Sequence, residues 1–482
     1  MSVEKAAFKG ASWLGIFKLC SQLFSWSITV VVARILSPKD YGIMEMATVI
    51  TGYAAMFSEL GLGSAIIQRK SIDEKDLSSL FWLIVLISIV LAFFAIFAAY
   101  PTSWIFKEPR VIPITQAVSI LFIITGLLIV PNSLLQKGLK FKQIGFFEMT
   151  GVFISSISML LIAKAGGGVW TLICGHIIRE FVKLCFASYY CKWFPRLHFD
   201  FKSSISYLKF GITIAVGGSF YYIYNKCDRF FAGKNWNAGS LGLYSFALEL
   251  ASMPTNKIVT IINQVSYAGF AKLQDQEKEF NAFFLNIIKS ISILVFPLYI
   301  GLFLVGEDVI RLFLNEKWFG MIFLFKGLCL VQIFTSLIAV NNYALNAKGR
   351  PQRTLLFNLS MTICLVPSFY FATKYGFKTI LIPWFTIYFV LAILQVLHTL
   401  SKLKISIASY LTVLRPSVIA VVVMGIAVLL AELIPFSLSH YANMKFIALS
   451  TKILIGGFVY IGIIALIDKT SLLKVKKMIF NK

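Results

Sequence analysis

The sequence has little charge for its length, and most of the charge it has is of one sign. Only 14% of the 482 residues are charged and 58% are hydrophobic, and 21 acidic residues stand against 45 lysines and arginines. A chain this poor in charge cannot cover a folded domain with a water-soluble surface. This scarcity argues against an ordinary soluble enzyme or binding module and predicts an all-α polytopic membrane protein.

Sequence motifs of ATP-driven, metal-dependent and hydrolytic chemistry are also missing. The chain contains no phosphate-binding Walker loop, no His-Glu-x-x-His and no Gly-x-Ser-x-Gly. The segments between apolar runs do not exceed about thirty residues, which is too short for a separate catalytic domain. We therefore expect no enzyme activity and no cofactor. Coupling to a proton gradient, a sodium gradient or a partner subunit stays open.

The seven cysteines form no CxxC pair and no metal-like spacing. Most lie inside apolar runs, so they are predicted to be small core residues, and no metal site is expected.

The apolar runs are long enough to cross roughly 30 Å of hydrocarbon as helices. About fourteen runs are predicted, at residues 11–36, 42–67, 78–100, 112–135, 146–163, 169–190, 205–231, 241–265, 282–304, 321–345, 355–373, 380–400, 411–432 and 446–467. An even number of spans places both termini on the same side of the membrane.

The basic residues are distributed unevenly between the two sides that these runs define. Alternate assignment of the loops gives about 24 lysines and arginines on the side of the termini and about 11 on the other. Cytoplasmic loops carry the excess of positive charge, so both termini are predicted to be cytoplasmic. This bias accounts for most of the net charge of +24, and no nucleic-acid partner is needed to explain it.

Two short motifs recur at nearly equal spacing along the chain. The turn before the second run, with Gly42 and Ala47, returns around Gly242 and Ala247, and Lys-Gly-Leu-Lys-Phe-Lys at 137–142 returns as Lys-Gly-Arg-Pro-Gln-Arg at 348–353. Long-period self-similarity indicates duplicated helical bundles, as in many secondary transporters.

The residues around these turns also resemble a known family. The strings A-R-I-L-S-P-K-D-Y-G at 33–42, E-L-G-L-G-S-A-I-I-Q-R-K at 59–70, D-R-F-F-A-G at 228–233 and L-G-L-Y-S-F-A at 241–247 are similar to those of bacterial polysaccharide-biosynthesis flippases. These are the O-antigen and exopolysaccharide translocases, and the likeness is to the colanic-acid-type branch of the multidrug/oligosaccharidyl-lipid/polysaccharide exporter superfamily.

The resemblance implies an architecture, a substrate and a location. It implies six-helix bundles at residues 1–200 and 201–404, and two further helices with a basic tail at 405–482. The implied substrate is an undecaprenyl-pyrophosphate-linked oligosaccharide, moved across the bacterial inner membrane by alternating access. Membrane lipids, a polysaccharide polymerase and export machinery are the implied partners.

Ionisable residues within the sixth run provide a separate clue. His176, Arg179, Glu180 and Lys183 share one helical face, because they are three and four residues apart. At about 1.5 Å per residue, Arg179 lies near the middle of the bilayer, where a charge must face protein or water. The face is predicted either to line a cavity that binds substrate or to form a structural charge network.

Other intramembrane groups are matched by depth. Lys18 and Glu59 lie at similar depths on the first two runs and are predicted either to pair structurally or to bind and release a pyrophosphate. Glu45, near the outer end of its run, is expected to extend toward water.

The seventh run supplies candidate sugar contacts. Lys226 and Glu249 are also matched in depth, with Tyr221, Tyr222 and Asn225 nearby. Aromatic and amide groups suit sugars, and a packed interface is the alternative for the tyrosines. Asp228 and Arg229 are expected to form a local structural pair.

Three classes of function fit the sequence to different degrees. A flippase for lipid-linked oligosaccharides, or its neighbour a lipid II flippase, fits the resemblance and the cationic groups at membrane depth. A multidrug exporter usually has twelve spans and acidic cation sites. A membrane-bound O-antigen polymerase or ligase normally has a large outer loop, and this chain has none.

Overall fold

The described part of the chain is helical, as its apolar runs predict. The computed structural model describes residues 3–59, 62–68, 73–432 and 442–480, with the side chains of 3–16, 19, 58, 59, 64, 65, 68, 201–217, 257, 258, 260, 261, 263–265, 268, 442–444 and 469–480 outside the described set. Every secondary-structure element in these ranges is helical. The predicted all-α polytopic fold class is confirmed.

The chain forms two compact units, Met1–Gly242 and Leu243–Lys482. The helices of the first unit are α1 (Val3–Ile35), α2 (Pro38–Glu59), α3 (Leu62–Gln68), α4 (Glu74–Phe106), α5 (Val111–Lys137), α6 (Phe141–Lys164), α7 (Trp170–Cys191) and α8 (Phe201–Asn235). Helix α9 (Ala238–Pro254) begins in this unit and continues into the next. The bundle boundaries at 200/201 and 404/405 follow the family resemblance and stay predictions.

The second unit contains the remaining helices. They are α10 (Thr260–Lys272), α11 (Glu277–Phe313), α12 (Ile322–Ala347), α13 (Pro351–Lys374), α14 (Leu381–Pro383), α15 (Phe389–Leu403), α16 (Ile407–Ala431) and α17 (Ala442–Phe480). Helix α11 packs against α12, α16 and α17. The two C-terminal helices are therefore part of this unit's core.

Thirteen of the fourteen predicted apolar runs each lie on one long helical segment, and the run 42–67 is divided between α2 and α3, with residues 60 and 61 outside the described set. Among the described residues, nine segments are long and apolar enough to cross a membrane by length and composition, and the bent pair Cys20–Ile35 and Pro38–Phe57, which meet at 114°, makes a tenth. Helix α7 is outside these nine because Arg179, Glu180 and Lys183 crowd its apolar stretch. Helix α7 is long enough to cross a membrane, but its charged residues do not favour contact with lipid.

The helical geometry changes directly after Pro254. Proline has no N–H group and clashes with the preceding turn, so helices bend there. The chain continues after Pro254 as a π-helical turn, Thr255–Val259. The hydroxyl of Tyr299 accepts from the backbone N–H of Thr255 at 2.9 Å, which fixes the turn against α11.

Small residues let the helices of the first unit approach one another. A Cβ atom at Gly126 on α5 would overlap the hydroxyl of Ser88 on α4, and one at Gly175 on α7 would overlap Met159 on α6. Lipid provides little hydrophobic drive for helix association, so close van der Waals contact between small residues is a main source of packing energy.

The duplicated turns meet at their glycines. A Cβ at Gly42 on α2 would overlap the carbonyl oxygen of Ala238, and a Cβ at Gly242 on α9 would overlap the carbonyl oxygen of Pro38. Each glycine thus lies against the carbonyl four residues before the other. This reciprocal contact is what a local two-fold relation between the two copies would produce, and it explains why both copies carry glycine.

All seven cysteines are free. Cys227 and Cys329 are buried, as predicted, but Cys20 and Cys185 are exposed. The prediction of a core role is wrong for these two, because in a membrane helix an apolar neighbourhood in sequence is compatible with a lipid-facing side.

Candidate functional site

Helix α7 joins its charges into one network. Nε of Arg179 lies 3.1 Å from Oε1 of Glu180, and Nζ of Lys183 lies 2.7 Å from Oε2 of the same carboxylate. The Glu180 side chain is 12% exposed, whereas 42% of Arg179 and 23% of Lys183 are exposed. His176, one turn before Glu180, is exposed. We call Arg179, Glu180 and Lys183 the α7 network.

The α7 network carries more positive than negative charge. Its single carboxylate neutralises only one of its two cations, so one unit of positive charge remains. Arg179 lies about 14 Å along the axis from Trp170 and about 18 Å from Cys191, near the middle of the helix. A guanidinium and an ammonium group side by side are suited to a phosphate, because both make charge-assisted hydrogen bonds to its oxygens.

A glycine on α6 makes room for this network. A Cβ at Gly151 would lie 3.2 Å from the carbonyl oxygen of Arg179 and 3.3 Å from Cγ of Lys183, closer than side chains normally approach. Helix α6 therefore lies directly against the charged segment of α7.

One turn earlier on α6, Glu148 provides a partner for Lys18 of α1. Nζ of Lys18 lies 3.9 Å from Oε2 of Glu148, with 55% and 35% of the two side chains exposed. An ion pair this long and this open to solvent contributes at most about 1 kcal/mol. Lys18 is therefore only weakly held by this pair.

A second charge cluster joins α2 to α8. Nζ of Lys226 lies 3.0 Å and Nη1 of Arg229 lies 3.4 Å from Oε1 of Glu45. The backbone N–H of Arg229 donates to Oδ1 of Asp228 at 2.7 Å, and its Nη2 donates to the carbonyl oxygen of Asn225 at 2.6 Å. We call Glu45, Lys226, Asp228 and Arg229 the α2/α8 cluster.

The α2/α8 cluster is buried and neutral. No side chain in it is more than 25% exposed, and Asp228 is fully buried. Its two carboxylates balance its two cations. Because the charges compensate one another, the cluster is suited to holding α8 against α2 rather than to attracting an anion.

Glu45 corrects an expectation. The sequence predicts that it extends toward water from the outer turn of α2, but its side chain is 17% exposed and bonded to Lys226 and Arg229. The cause is long-range, since α8 lies against α2 and brings two cations to the carboxylate. The expected local pair of Asp228 and Arg229 is present, at 3.5 Å between Oδ1 and Nε.

The predicted sugar contacts on α8 lie in different surroundings. The hydroxyl of Tyr222 donates to the carbonyl oxygen of Val49 at 2.8 Å, and a Cβ at Gly52 would overlap it, so Tyr222 belongs to the packed α2/α8 interface. Tyr221 is 51% exposed and packs edge to face on Tyr224. Asn225 accepts from Arg229. Substrate roles for Tyr221, Tyr222, Asn225 and Lys226 stay predictions.

Two predicted acidic groups are not placed in a site. The side chain of Glu59 lies outside the described residues, so its pairing with Lys18 stays a prediction. Glu249 is exposed and lies in the second unit, and its pairing with Lys226 also stays a prediction.

Sequence reasoning missed Glu148 and the true neighbours of Glu45. The available signal for Glu148 was its carboxylate on the first turns of an apolar run, at a depth comparable to that of Lys18. Among the described side chains, no three His, Cys, Asp or Glu residues come together as a metal ion would require.

Several known proteins are similar to this chain in sequence. A family model described as "Polysaccharide biosynthesis protein" matches residues 31–323. The chain is 26% identical over 375 residues to the lipopolysaccharide biosynthesis protein WzxC of Escherichia coli (strain K12), covering 76% of this chain and 75% of that protein. It is 23% identical over 470 residues to the teichuronic acid biosynthesis protein TuaB of Bacillus subtilis (strain 168), covering 95% of both.

Further likenesses extend to a transport protein and to solved structures. The succinoglycan biosynthesis transport protein ExoT of Rhizobium meliloti (strain 1021) is 21% identical over 331 residues, or 67% of each chain. The lipid II flippase MurJ in its inward closed conformation superposes with a TM-score of 0.74 at 16% identity, covering 95% of this chain and 99% of that one. An inward-facing MATE multidrug transporter gives 0.61 at 13% identity, covering 79% and 94%. At these identities the structures show the fold alone.

Proposed function

Because the chain belongs to the family of polysaccharide biosynthesis proteins, we propose that it flips an undecaprenyl-pyrophosphate-linked oligosaccharide from the cytoplasmic to the outer leaflet. The family, the transport relatives and the apolar helices make it a multi-pass membrane protein of polysaccharide biosynthesis and transport. The substrate class, alternating access and the direction of movement are proposed.

The α7 network is the observation that carries the proposal. It places an uncompensated positive charge near the middle of a helix, with 42% of Arg179 exposed. A pyrophosphate that crosses the membrane needs charge compensation along its path, and a partly dehydrated site strengthens that attraction relative to water. Glu180, already bonded to both cations, competes with the substrate for them and so favours release.

Replacing Arg179 tests this role. In the Arg179→Ala variant we expect loss of surface polysaccharide and accumulation of lipid-linked repeat units. The reason is that one of the two side chains that donate hydrogen bonds to the phosphate is gone. The matched control is Arg311→Ala, which removes a similarly exposed arginine from an ion pair with Glu307 on α11. Normal polymer from an abundantly inserted Arg179→Ala protein would assign the network a purely structural role.

Lys18 is proposed as a second phosphate contact, with Glu59 releasing the substrate or carrying a coupling proton. A structural pair predicts that Lys18→Met is rescued by neutralising its partner, whereas a phosphate contact predicts no rescue. Lys18→Met is combined with Glu59→Gln in one double variant and with Glu148→Gln in another. Membrane abundance and surface polymer are measured for each. Recovery of polymer in either double variant would rule out the transport role of Lys18.

The proposed orientation places both termini in the cytoplasm of the inner membrane. In a cysteine-free background, a cysteine at Asn237 should react with an impermeant reagent added outside, and one at Gln274 should be protected, because the chain reverses side with each span. The opposite labelling pattern would reverse the orientation and the direction of transport.

A further inference from the structure

The second copy of the basic turn motif forms the end of a long helix. The turn after α12 contains Lys348, Gly349 with φ +68°, and Arg350, and Pro351 is the first residue of the 24-residue helix α13. The turn is closed by backbone hydrogen bonds from Gly349 to Asn346 and from Arg350 to Leu345, each 3.0 Å long. These hydrogen bonds fix the backbone of the turn. The N-terminus of α13 and the cations of the turn therefore lie at the same end of the helix.

Four groups with positive or titratable side chains gather at this turn. Arg350 and Arg353 lie at the start of α13, which packs against α15, and His398 and Lys402 are one turn apart on α15. His398 is within electrostatic range of all three cations. Among the side chains that the structure describes, none of these three cations forms an ion pair with a carboxylate. We call Arg350, Arg353, His398 and Lys402 the basic cluster.

Other cations at this end of the second unit are already occupied. Lys404 pairs with Glu277 at 3.3 Å, and Nζ of Lys348 donates to the carbonyl oxygen of Gln274 at 2.6 Å while lying 4.4 Å from the ring centroid of Phe280. The basic cluster is thus a group of like charges that neighbouring acidic residues leave uncompensated. These three cations are exposed, so together they attract an anion.

The basic cluster borders an apolar surface. Leu355 and Leu356 of α13, within one turn of Arg353, are 38% and 52% exposed, and Leu394 and Leu397 of α15, next to His398, are 53% and 38% exposed. Exposed leucines on membrane-crossing helices contact acyl chains. The cations therefore lie at the boundary where the headgroups of that leaflet meet hydrocarbon.

We propose that the basic cluster binds the phosphate of an anionic phospholipid in the leaflet where α13 begins. Two arginines present planar donors that match phosphate oxygens, and the helix N-terminus adds a positive dipole end. Juxtamembrane lysines and arginines attract anionic lipid, and the adjacent leucines receive its acyl chains. The site uses no residue of the α7 network and does not depend on the transported substrate.

The first copy of the motif gives a structural comparison. There the turn 137–142 precedes α6, and Lys140 lies within electrostatic range of Cys191 at the end of α7. In each copy the second long helix after the turn, α7 or α15, ends at a lysine with a left-handed backbone, Lys192 with φ 53° and Lys404 with φ 55°. The backbone hydrogen bonds of the turn are also repeated, from Leu139 to Gln136 and from Lys140 to Leu135, each 3.0 Å long. The two arginines and the histidine are particular to the second copy.

Lipid binding to the purified full-length protein tests the proposal. Native mass spectrometry is used to titrate the protein with phosphatidylglycerol and with phosphatidylcholine of the same acyl chains. We expect preferential retention of phosphatidylglycerol, and a loss of that preference by about tenfold or more in the R350Q/R353Q/K402Q variant.

The matched control is R311Q/K374Q/K378Q, which changes net charge equally at the opposite ends of helices in the same unit. Equal loss of preference in the control would overturn the proposal, because net charge alone would then explain it. Displacement of the lipid by inorganic phosphate would overturn the assignment to a phospholipid. If the triple variant is unstable, Arg353→Gln alone should lower the preference in part, and an unchanged preference would contradict the proposal.

Discussion

The α7 network and the α2/α8 cluster contain the same kinds of side chain but differ in charge balance and exposure. The first sets two cations against one carboxylate and leaves 42% of Arg179 exposed, and the second balances two against two and exposes no member beyond 25%. Burial of a charge is tolerated when it is paired. A surplus charge persists only where water or a ligand reaches it. The comparison distinguishes the α7 network, which is suited to binding, from the α2/α8 cluster, which holds two helices together.

Removing the shared carboxylate of the α2/α8 cluster should have the largest effect. Glu45→Gln leaves Lys226 and Arg229 with one remaining carboxylate in a buried site, and we expect about 2–4 kcal/mol of destabilisation, less than for a fully buried pair. Thermal unfolding in detergent and membrane abundance measure it.

The double variant Glu45→Gln/Lys226→Met provides the control for this prediction. It restores the charge balance, because Arg229 remains with Asp228, and should recover most of the lost stability. If the double variant is no more stable than Glu45→Gln, the cluster is not held together by charge compensation.

A methyl group at the crossing of the duplicated turns should have the next largest effect. Gly42→Ala places a Cβ into the carbonyl oxygen of Ala238. The backbones must separate, at a cost of about 1–3 kcal/mol, which would also strain Glu45 one turn further along α2. The matched control is Gly301→Ala, since a Cβ at Gly301 meets nothing within 4 Å. Equal melting temperatures for the two variants would contradict the close contact.

Neutralising the carboxylate of the α7 network should affect stability less and transport more. Glu180→Gln frees Arg179 and Lys183, both of which already reach solvent, so we expect destabilisation of about 1 kcal/mol or less. On the proposed function, a substrate phosphate would then be released more slowly, and surface polymer should fall at normal membrane abundance. A variant that is as unstable as Glu45→Gln would place the α7 network in the same structural class as the α2/α8 cluster.

The smallest effect is expected at an exposed pair in the loop between α4 and α5. Arg110 donates to both oxygens of Glu108, at 2.9 and 3.1 Å, and these hydrogen bonds lower the pKa of the Glu108 carboxyl. A carboxylate with a lowered pKa in the folded state stabilises the protein above its unfolded pKa, and the contribution disappears as pH falls through the folded value. Half of Arg110 is exposed, so only a few tenths of a kcal/mol are expected.

The measurement for this pair is the difference in melting temperature between the wild type and Glu108→Gln. We expect a small difference at neutral pH that vanishes in acid. A difference that is the same at both pH values would show that the hydrogen bonds with Arg110 do not depend on ionised Glu108.

The sequence by itself determined the helical membrane fold, the approximate positions of the long helices and the charged face of α7, although His176, which the sequence placed on that face, is not one of the paired groups. These features depend on hydrophobic run length and on spacings of three and four residues, which are local properties of one helix. The repeated glycines were also visible, although the sequence did not show what they contact.

Only the tertiary structure decided which distant groups meet. Glu45 bonds to residues more than 180 positions away, Lys18 lies beside Glu148, and Gly42 lies against the carbonyl of Ala238. Depth along a helix predicts how far a charge lies from the membrane surface, but the neighbour of that charge depends on the order and rotation of the packed helices. A periodic pattern carries no information on either, because any apolar face satisfies the lipid equally well.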